Sequence, residues 1–477
     1  MQADLNVVLP QIVIAIAALL GLAVVLTTRL ERVLNQLTWM TAALFAAMAL
    51  WLIITGQGSR AGFGGSVIDD PLARFAAIGI LVTAAVSVVI SFEYMLGLQM
   101  LRRQYPALLA LCVVGMLLMV GAQDLIVVYV SVELQAAAAY GLLAMRSQSL
   151  RSTEAALKAV IQGLVSSAIL LFGASLVVGF SGSTSFDGIA EATASNAPMG
   201  LIFGLVLVFA GLAHKLALVP FHSWSPDVHQ GATSPMAAFM LTAPKLASLV
   251  LLSRFLLQAF PEITEIWQPL ICTVAAASML FGAIFCIIQR DIKRFLAYAA
   301  IAHMGFMLSA IAAASEQGAV AMLLYLLVYV CVYIGIFAFV LSMESDKRPV
   351  SALYFLNRFA FVQPGQALAL LILLLCLAGI PPLPGFLAKV FVLQAVIEAD
   401  LFWLTLAVLL SYAIGAFGYV RIVYLIYFGE EREPLETNRS PLRWGVFMGA
   451  AALMVIAIPG LLGMEDVARE AALALVR

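Results

Sequence analysis

Long apolar stretches follow one another along almost the whole chain, separated by short polar segments. A helix needs about 20 apolar residues to cross the roughly 30 Å hydrocarbon core of a bilayer. On that measure the pattern predicts fourteen spans. They are 8–27, 38–55, 73–96, 106–121, 125–145, 155–180, 199–219, 233–257, 267–288, 294–313, 318–343, 365–397, 401–428 and 443–463. The connections leave no room for a separate soluble domain, so we predict an all-α integral membrane protein.

The twelfth span is too long for one straight crossing, because some thirty residues at 1.5 Å each would measure about 45 Å. Its middle reads GIPPLPGFLAKVFVLQ, residues 379–394, with three prolines that remove backbone donors. We therefore predict two half-helices with an unwound link, and Lys389 just beyond it, where freed carbonyls and water can solvate its charge. Span seven shows a weaker interruption, with Lys215 before Pro220. One broken span in each half indicates a transporter with internal repeats, although no repetition of letters is visible.

Composition supports the membrane class and excludes several functions. The chain has 477 residues, 64% hydrophobic and 11% charged, with a net charge of −1, so no basic surface indicates nucleic-acid binding. Its five cysteines lie in apolar segments without CxxC, which disfavours an iron–sulfur or zinc site. The N-terminus lacks a basic n-region and is expected to be a retained first span. The chain also has no Gly-rich dinucleotide-binding loop.

Basic residues are unequally divided between the two sides of the predicted membrane. Sixteen lie in the loops and flanks after spans 1, 3, 5, 9, 11 and 13: Arg29, Arg32, Arg102, Arg103, Arg146, Arg151, Arg290, Lys293, Arg294, Lys347, Arg348, Arg358, Arg421, Arg432, Arg439 and Arg443. The other side holds five: Arg60, Arg74, Arg254, Arg469 and Arg477. We therefore predict both termini on the outer side, which is periplasmic in a bacterium.

Four lysines remain inside the predicted spans, Lys158, Lys215, Lys245 and Lys389, and the only deep acid is Glu133. A desolvated lysine can release its proton, whereas arginine effectively cannot. One lysine in each of four spans with a single acid therefore suggests a proton relay. Two alternatives stay open: structural ion pairs between helices, and snorkelling to the interface, for which Lys158 is suited because it follows Glu154 by four residues.

Histidines add one further candidate. His303 lies within span ten and could relay protons near neutral pH, or only hydrogen-bond a neighbour. His222 and His229 flank the end of span seven without HExxH or a carboxylate cluster, so we predict no metal site.

Four motifs together resemble a known family. LVPFHSWSPDVHQGATSP, APKLASL, VELQ and GIPPLPGFLAKVFVL closely resemble the subunit N family of bacterial NADH-quinone oxidoreductase (respiratory complex I), an antiporter-like family related to Mrp cation/proton antiporters. The resemblance implies two inverted five-helix repeats with broken helices 7 and 12. The implied divisions are helices 1–3 (1–105), the first repeat (106–257), the second repeat (258–428) and helix 14 (429–477).

The resemblance also implies roles for individual residues. Glu133 and Lys215 would form a coupling pair, Lys245 the central connector and Lys389 the terminal site. Lys158 would modulate the pair from span six, and His303 would bridge the two halves.

The resemblance implies partners as well. They would be other membrane subunits of complex I, including antiporter-like homologues, in a bacterial inner membrane. FMN, iron–sulfur clusters, NADH and quinone would belong to partner subunits, with no cofactor or metal in this chain. Two other functions remain open: an Mrp-type sodium/proton antiporter subunit, and a structural spacer whose buried charges only lock helices.

Overall fold

The computed structural model describes residues 2–27, 31–56, 58–195, 197–345, 348–430, 435–437 and 440–476. Five of the basic residues used for the predicted orientation lie outside these ranges: Arg29, Lys347, Arg432, Arg439 and Arg477. The described part of the chain is mostly helical, with only short strands in its connections. This confirms the prediction of a helical membrane protein.

The helices up to residue 259 are α1 Gln2–Val7, α2 Leu9–Thr27, α3 Glu31–Thr55, α4 Pro71–Gly97, α5 Tyr105–Val120, α6 Leu125–Leu143, α7 Leu150–Ser181, α8 Phe186–Ser195, α9 Met199–Leu216, α10 Trp224–Gly231, α11 Ser234–Met240 and α12 Ala243–Ala259. The later helices are α13 Thr264–Ile287, α14 Ile292–Ala312, α15 Glu316–Val340, α16 Phe359–Val362, α17 Pro364–Ala378, α18 Pro384–Glu398, α19 Phe402–Phe428, α20 Pro441–Ile456 and α21 Met464–Leu473.

Short strands occur in two of the connections. β1 (Arg60–Gly62) and β2 (Val67–Asp69) form an antiparallel hairpin before α4. β3 (Met343–Ser345) pairs antiparallel with both β4 (Arg348–Pro349) and β5 (Glu436–Thr437), in the order β4-β3-β5.

The predicted spans agree well with the helices. Eleven described helical segments are long and apolar enough to cross a membrane, and α5, α17 and α20 are shorter apolar helices. Each predicted span overlaps one of these fourteen segments. Span twelve is interrupted as predicted, because α17 ends at Ala378 and α18 begins at Pro384.

Two of the predicted boundaries are wrong. The sequence predicts one continuous helix over 233–257, but α11 and α12 are separated at Leu241 and Thr242, where the backbone of Thr242 is non-helical (φ −117°, ψ −89°). The hydroxyl of Tyr329 donates to the carbonyl of Leu241 at 2.7 Å, so the interruption has a hydrogen-bond partner. Span fourteen is predicted to reach 463, but α20 ends at Ile456 and a separate helix, α21, follows.

The centre of the molecule is formed by α12, α14 and α15. In their most apolar stretches 94%, 94% and 89% of the residues are buried, with α11 counted together with α12. In α2, α3 and α19 only 22%, 28% and 33% are buried. Because the exposed residues of these outer helices are mainly large and apolar, their free faces suit lipid or another apolar surface.

Two hydrogen-bonded corners repeat at a constant sequence distance. Thr184 donates its hydroxyl to Asp124 Oδ2 at 2.5 Å, and Ser351 donates to Asp291 Oδ2 at 2.5 Å. Asp291 follows Asp124 by 167 positions, and Ser351 follows Thr184 by the same 167. Each aspartate also caps the helix that follows it, α6 or α14. The two corners are equivalent in geometry although their letters differ.

The backbone around these corners repeats with the same offset. The amide of Leu125 donates to Thr184 O at 2.9 Å, and that of Ile292 donates to Ser351 O at 2.7 Å.

Helix packing repeats in the same way. A Cβ on Gly115 would meet the backbone nitrogen of Gln135 at 2.6 Å, and one on Gly282 would meet that of Ala302 at 2.5 Å. Both pairs are again 167 positions apart, so α5 packs on α6 as α13 packs on α14.

The two corners lie at opposite ends of the segment formed by α11 and α12. Lys293, two residues after Asp291, donates to the carbonyl of Ala232 at 2.8 Å, just before α11 begins. Gln123, directly before Asp124, donates to Gln258 near the end of α12 at 2.8 Å. We name these two sides of the molecule the Asp291 end and the Asp124 end.

A buried ion pair ties several helices together at the Asp124 end. Arg254 of α12 contacts Asp70 at 2.5 Å, and their side chains are 0% and 2% exposed. Arg254 also donates Nε–H to the carbonyl of Val120 at 2.8 Å. Gln258, one turn later, donates to the carbonyl of Ala474 at 2.7 Å. The end of α12 is thereby joined to α4, to α5 and to the end of the chain.

We expect the two repeated corners to contribute equally to stability. Thr184→Val and Ser351→Ala each remove a hydroxyl that donates to a carboxylate, a hydrogen bond worth about 1.5 kcal/mol or somewhat more. Both variants should lower the Tm of the purified complex by similar amounts. Thr405→Val is the control, because Thr405 donates only to Leu401 O of its own helix. A clear loss in one corner with none in the other would contradict their equivalence.

Candidate functional site

Two of the predicted lysines donate to backbone carbonyls at the C-terminal ends of interrupted helices. Lys245 is 1% exposed, and its Nζ donates to the carbonyl of Leu216, the last residue of α9, at 2.5 Å. Lys389 is 8% exposed and donates to Leu377 O at 3.0 Å and to Ala378 O at 2.9 Å, at the end of α17. The last carbonyls of a helix lack partners within it and carry its negative dipole end, so an ammonium group is stabilised there. The predicted solvation of Lys389 by freed carbonyls is confirmed.

Aromatic rings lie close to each ammonium group. Lys389 Nζ is 4.7 Å from the ring centroid of Tyr412 and 5.1 Å from that of Phe306. Lys245 Nζ is 5.8 Å from the Trp224 ring. Such rings attract a cation without fixing it as an acid would. Among the described residues no carboxylate forms an ion pair within 4.0 Å of either lysine.

Glu133 of α6 and Lys215 of α9 do not contact each other directly. No hydrogen bond and no ion pair within 4.0 Å joins them, although the charge of Glu133 acts on Lys215 through space. Glu133 Oε1 is buried without a hydrogen-bond partner in the described part of the chain. The Lys215 ammonium lies 5.9 Å from the ring centroid of Tyr140.

A small cavity borders Lys215. It has a volume of about 40 Å³, and its lining includes Tyr140, His214, Trp224 and Ser248. That volume exceeds the roughly 10–15 Å³ that a cavity needs to hold a water molecule. A proton path between Glu133 and Lys215 would therefore need water or side-chain movement.

Lys158 lies in a partly exposed cluster at the Asp291 end. Its Nζ contacts Glu154 at 2.8 Å and Asp227 at 2.9 Å, and Arg294 contacts the other oxygen of Asp227 at 2.7 Å. The side chain of Lys158 is 39% exposed. No hydrogen bond or ion pair joins it to Glu133 or Lys215, so the structure does not bring it directly to the predicted pair.

Asp227 holds this cluster together. Its burial alone would raise its pKa, but hydrogen bonds from Lys158 and Arg294 outweigh burial and hold the pKa of Asp227 below its usual value of 3.8. A depressed carboxyl pKa contributes stability that is present above the unfolded value and is lost as pH falls through the folded value.

We expect Asp227→Asn to have a small and pH-independent effect near neutrality. Exposed ion pairs contribute about 0–1 kcal/mol. The Tm difference from wild type should stay constant between about pH 8 and about pH 5, since the depressed pKa lies below both. Asp187→Asn, at an exposed site on α8, controls for loss of charge alone. A difference that disappears before pH 5 would contradict this assignment.

His303 lies at the centre of α14 and is 3% exposed. Its Nδ1 is 2.8 Å from the hydroxyl of Tyr325, and its Nε2 is 2.8 Å from that of Tyr419. Both ring nitrogens are therefore hydrogen-bonded. The charge of Lys389 reaches His303 through space.

Two further histidines near the lysines were not singled out as site residues from the sequence. His214 stacks on Trp224 at 5.3 Å, and Trp224 lies 5.8 Å from His229. Both nitrogens of His214 and Nε2 of His229 are buried without a partner among the described residues. One feature of the sequence could have indicated His214: it directly precedes Lys215, shortly before the interruption of span seven at Pro220.

Neither a metal centre nor a disulfide is found in the described residues. No group of three or more His, Cys, Asp or Glu side chains is placed to hold a metal ion there. All five cysteines are free thiols, four of them buried and Cys331 partly exposed.

The chain is similar to known proteins in sequence and in fold. The pattern of the NADH:quinone oxidoreductase/Mrp antiporter transmembrane family matches residues 122–415. NADH-quinone oxidoreductase subunit N of Jannaschia sp. (strain CCS1) is 45% identical over 481 residues, covering 100% of both chains. The subunit N of Rhodobacter capsulatus is 44% identical over 476 residues, covering 100% of this chain and 99% of the relative.

The chain belongs to the NADH-quinone oxidoreductase subunit N family. The family resemblance seen in the sequence is thereby confirmed. Among solved structures, a chain of respiratory complex I from Thermus thermophilus is 25% identical with a TM-score of 0.80, covering 97% of this chain and 99% of that one. A chain of the Mrp complex from Dietzia sp. DQ12-45-1b has a TM-score of 0.83 at 19% identity, covering 100% and 98%, and shares the fold.

Proposed function

We propose that this chain is a proton-translocating membrane subunit of NADH-quinone oxidoreductase. Protons pass along Glu133, Lys215, Lys245, His303 and Lys389 while partner subunits reduce quinone. The observation that supports this most directly is the burial of Lys245 and Lys389 on helix-end carbonyls without a paired acid. Groups held this way can change charge without leaving a buried acid unpaired.

The proposed membrane topology has fourteen spans with both termini on the periplasmic side. The Asp291 end, with Arg290, Lys293 and Arg294, would face the cytoplasm under the rule that basic residues stay inside. The two inverted repeats would cover 106–257 and 258–428, between helices 1–3 (1–105) and the last segment (429–477). Their support is the pair of equivalent corners 167 positions apart at opposite ends of the α11–α12 segment.

The energetic requirement for transport is modest. Moving one proton against 100 mV requires about 2.3 kcal/mol, and a pKa change of one unit corresponds to about 1.36 kcal/mol. Changes of a few units at successive lysines are enough. The free energy would come from quinone reduction in partner subunits, which would hold FMN and the iron–sulfur clusters and bind NADH and quinone. Lys158, which contacts Asp227, would lie at the edge of the proton path and modulate the Glu133–Lys215 pair from there.

Two other functions are tested by the same experiment. Purified complex containing this chain is reconstituted into vesicles in a sodium-free buffer, and proton transport on addition of NADH and quinone is followed with an internal pH dye. We expect transport without sodium that an uncoupler collapses. Sodium-stimulated exchange by the isolated chain, without NADH or quinone, would instead favour an Mrp-type antiporter subunit. Unchanged proton transport in lysine-to-methionine variants would favour a structural spacer.

A further inference from the structure

Four tyrosines surround His303, but only two of them contact its nitrogens. Tyr325 and Tyr419 hydrogen-bond Nδ1 and Nε2, each at 2.8 Å. The rings of Tyr329 and Tyr333 lie 5.7 Å and 6.1 Å from the imidazole, yet their hydroxyls donate elsewhere. The cluster therefore contains two tyrosines bonded to His303 and two that only pack against it.

The two hydrogen bonds occupy the whole bonding capacity of the ring. A neutral imidazole has one N–H donor and one acceptor nitrogen. One tyrosine must therefore donate to His303 while the other accepts from it. No ring nitrogen remains for water or for Lys389, so a proton can reach His303 only through a tyrosine oxygen.

The two tyrosines extend from His303 in different directions. Tyr419 packs edge-on against Phe295 at 5.3 Å, one turn from Asp291. Two residues further along α19, Arg421 donates to the carbonyl of Gln289 at 3.1 Å, so Tyr419 lies toward the Asp291 end.

Tyr325 lies on the side of Lys389. Its ring stacks on that of Phe306 at 6.1 Å, and the same Phe306 ring lies 5.1 Å from Lys389 Nζ. The three side chains Tyr419, His303 and Tyr325 therefore connect the Asp291 end with the surroundings of Lys389.

We propose that Tyr325 and Tyr419 are proton-relay residues that carry every proton entering or leaving His303. This inference rests on the proposed proton transport. A hydroxyl can accept a proton on its oxygen while giving up its own, so neither tyrosine has to ionise. Their burial at 4% and 3% exposure keeps bulk water from replacing them.

Each transfer conserves atoms and charge. A proton arrives on Tyr419 Oη as the hydroxyl proton of Tyr419 passes to His303 Nε2. The Nδ1–H proton then passes to Tyr325 Oη as the hydroxyl proton of Tyr325 leaves toward the side of Lys389. Each tyrosine oxygen gains one proton and loses one, Nε2 gains one and Nδ1 loses one, so the ring stays neutral and one positive charge has moved. Both hydrogen bonds now point the opposite way, so the hydroxyls and the tautomer must reverse before the next proton passes.

The packed tyrosines supply matched controls. Tyr329 donates to Leu241 O at 2.7 Å and Tyr333 to Leu296 O at 2.9 Å. Phenylalanine at any of the four positions removes one hydroxyl and keeps the ring. Only the changes at Tyr325 and Tyr419 remove a link to His303.

The experiment compares four variants in assembled complex in vesicles: Tyr325→Phe, Tyr419→Phe, Tyr329→Phe and Tyr333→Phe. Assembly is checked from the subunit composition of the purified complex. We expect the initial rate of NADH-driven proton transport to fall at least about tenfold in the first two and to stay within about twofold of wild type in the controls. If one relay variant does not assemble, the other is sufficient, because the relay needs both hydroxyls.

Two results would overturn the relay. One is near wild-type transport in Tyr325→Phe or Tyr419→Phe, and the other is an equal loss in all four variants. Lys215→Ala measured in parallel separates the two proposals. If it loses transport while the tyrosine variants do not, only the relay is wrong. If it also transports normally, the proposed proton path is wrong.

Discussion

Replacing Lys215 with alanine should lower NADH-driven proton transport by about 100-fold, the effect of removing a group that transfers protons. Lys215 is the last residue but one of α9, borders a cavity of about 40 Å³ and lies within electrostatic range of Glu133. Alanine removes the ammonium and leaves Glu133 without a nearby cation. Glu133→Ala removes the other member of the pair and should lower proton transport by a similar factor. Proton transport and NADH-driven quinone reduction are both measured. Because the two processes are proposed to be coupled, loss of proton transport should also lower the rate of quinone reduction.

A second buried lysine provides the control. Lys293 is 8% exposed and donates to a backbone carbonyl, as the relay lysines do, but lies outside the proposed path. Lys293→Ala should retain most of the transport if the complex assembles. Full activity of Lys215→Ala with normal assembly would count heavily against the pair.

Lys389→Arg should also lose proton transport by about 100-fold while the chain still folds and assembles. Arginine keeps the positive charge and can donate to the same two carbonyls, Leu377 O and Ala378 O. It cannot release its proton at any physiological pH. The substitution therefore separates a proton-transferring role of Lys389 from a structural one. If Lys389 served only as a fixed positive charge, arginine would replace it without loss of transport.

The control for Lys389→Arg is Lys293→Arg, which makes the same chemical change at a buried lysine outside the path. We expect that variant to transport protons at close to the wild-type rate. Near-normal transport by Lys389→Arg would refute a titrating role for this lysine, and the structural-spacer alternative would then gain support.

The sequence predicts those features that depend on local backbone chemistry. The break in span twelve follows from its prolines, and the position of Lys389 on freed carbonyls follows from the break. The break in span eight was missed, because Pro244 is tolerated in the first turn of α12 and no glycine marks Leu241 or Thr242. Tyr329, a residue 88 positions away, donates to the carbonyl of Leu241 at this break.

Features that depend on distance between helices could not be predicted. The sequence places Glu133 in span five and Lys215 in span seven, but only the packing of α6, α7 and α9 decides that they are not in direct contact. The equivalence of these contacts escapes a comparison of letters because threonine and serine, or glutamine and alanine, occupy equivalent places. The tyrosines around His303 come from α15 and α19, and their convergence is a property of the tertiary structure.

The anchoring of Lys389 has a consequence for how it can work. An ammonium group has three N–H bonds, and only two of them are spent on Leu377 O and Ala378 O. The neutral amine that remains after deprotonation still has two, so both anchors survive. This side chain can alternate between charged and uncharged forms while staying in place, and the gap between the half-helices need not open or close with every turnover.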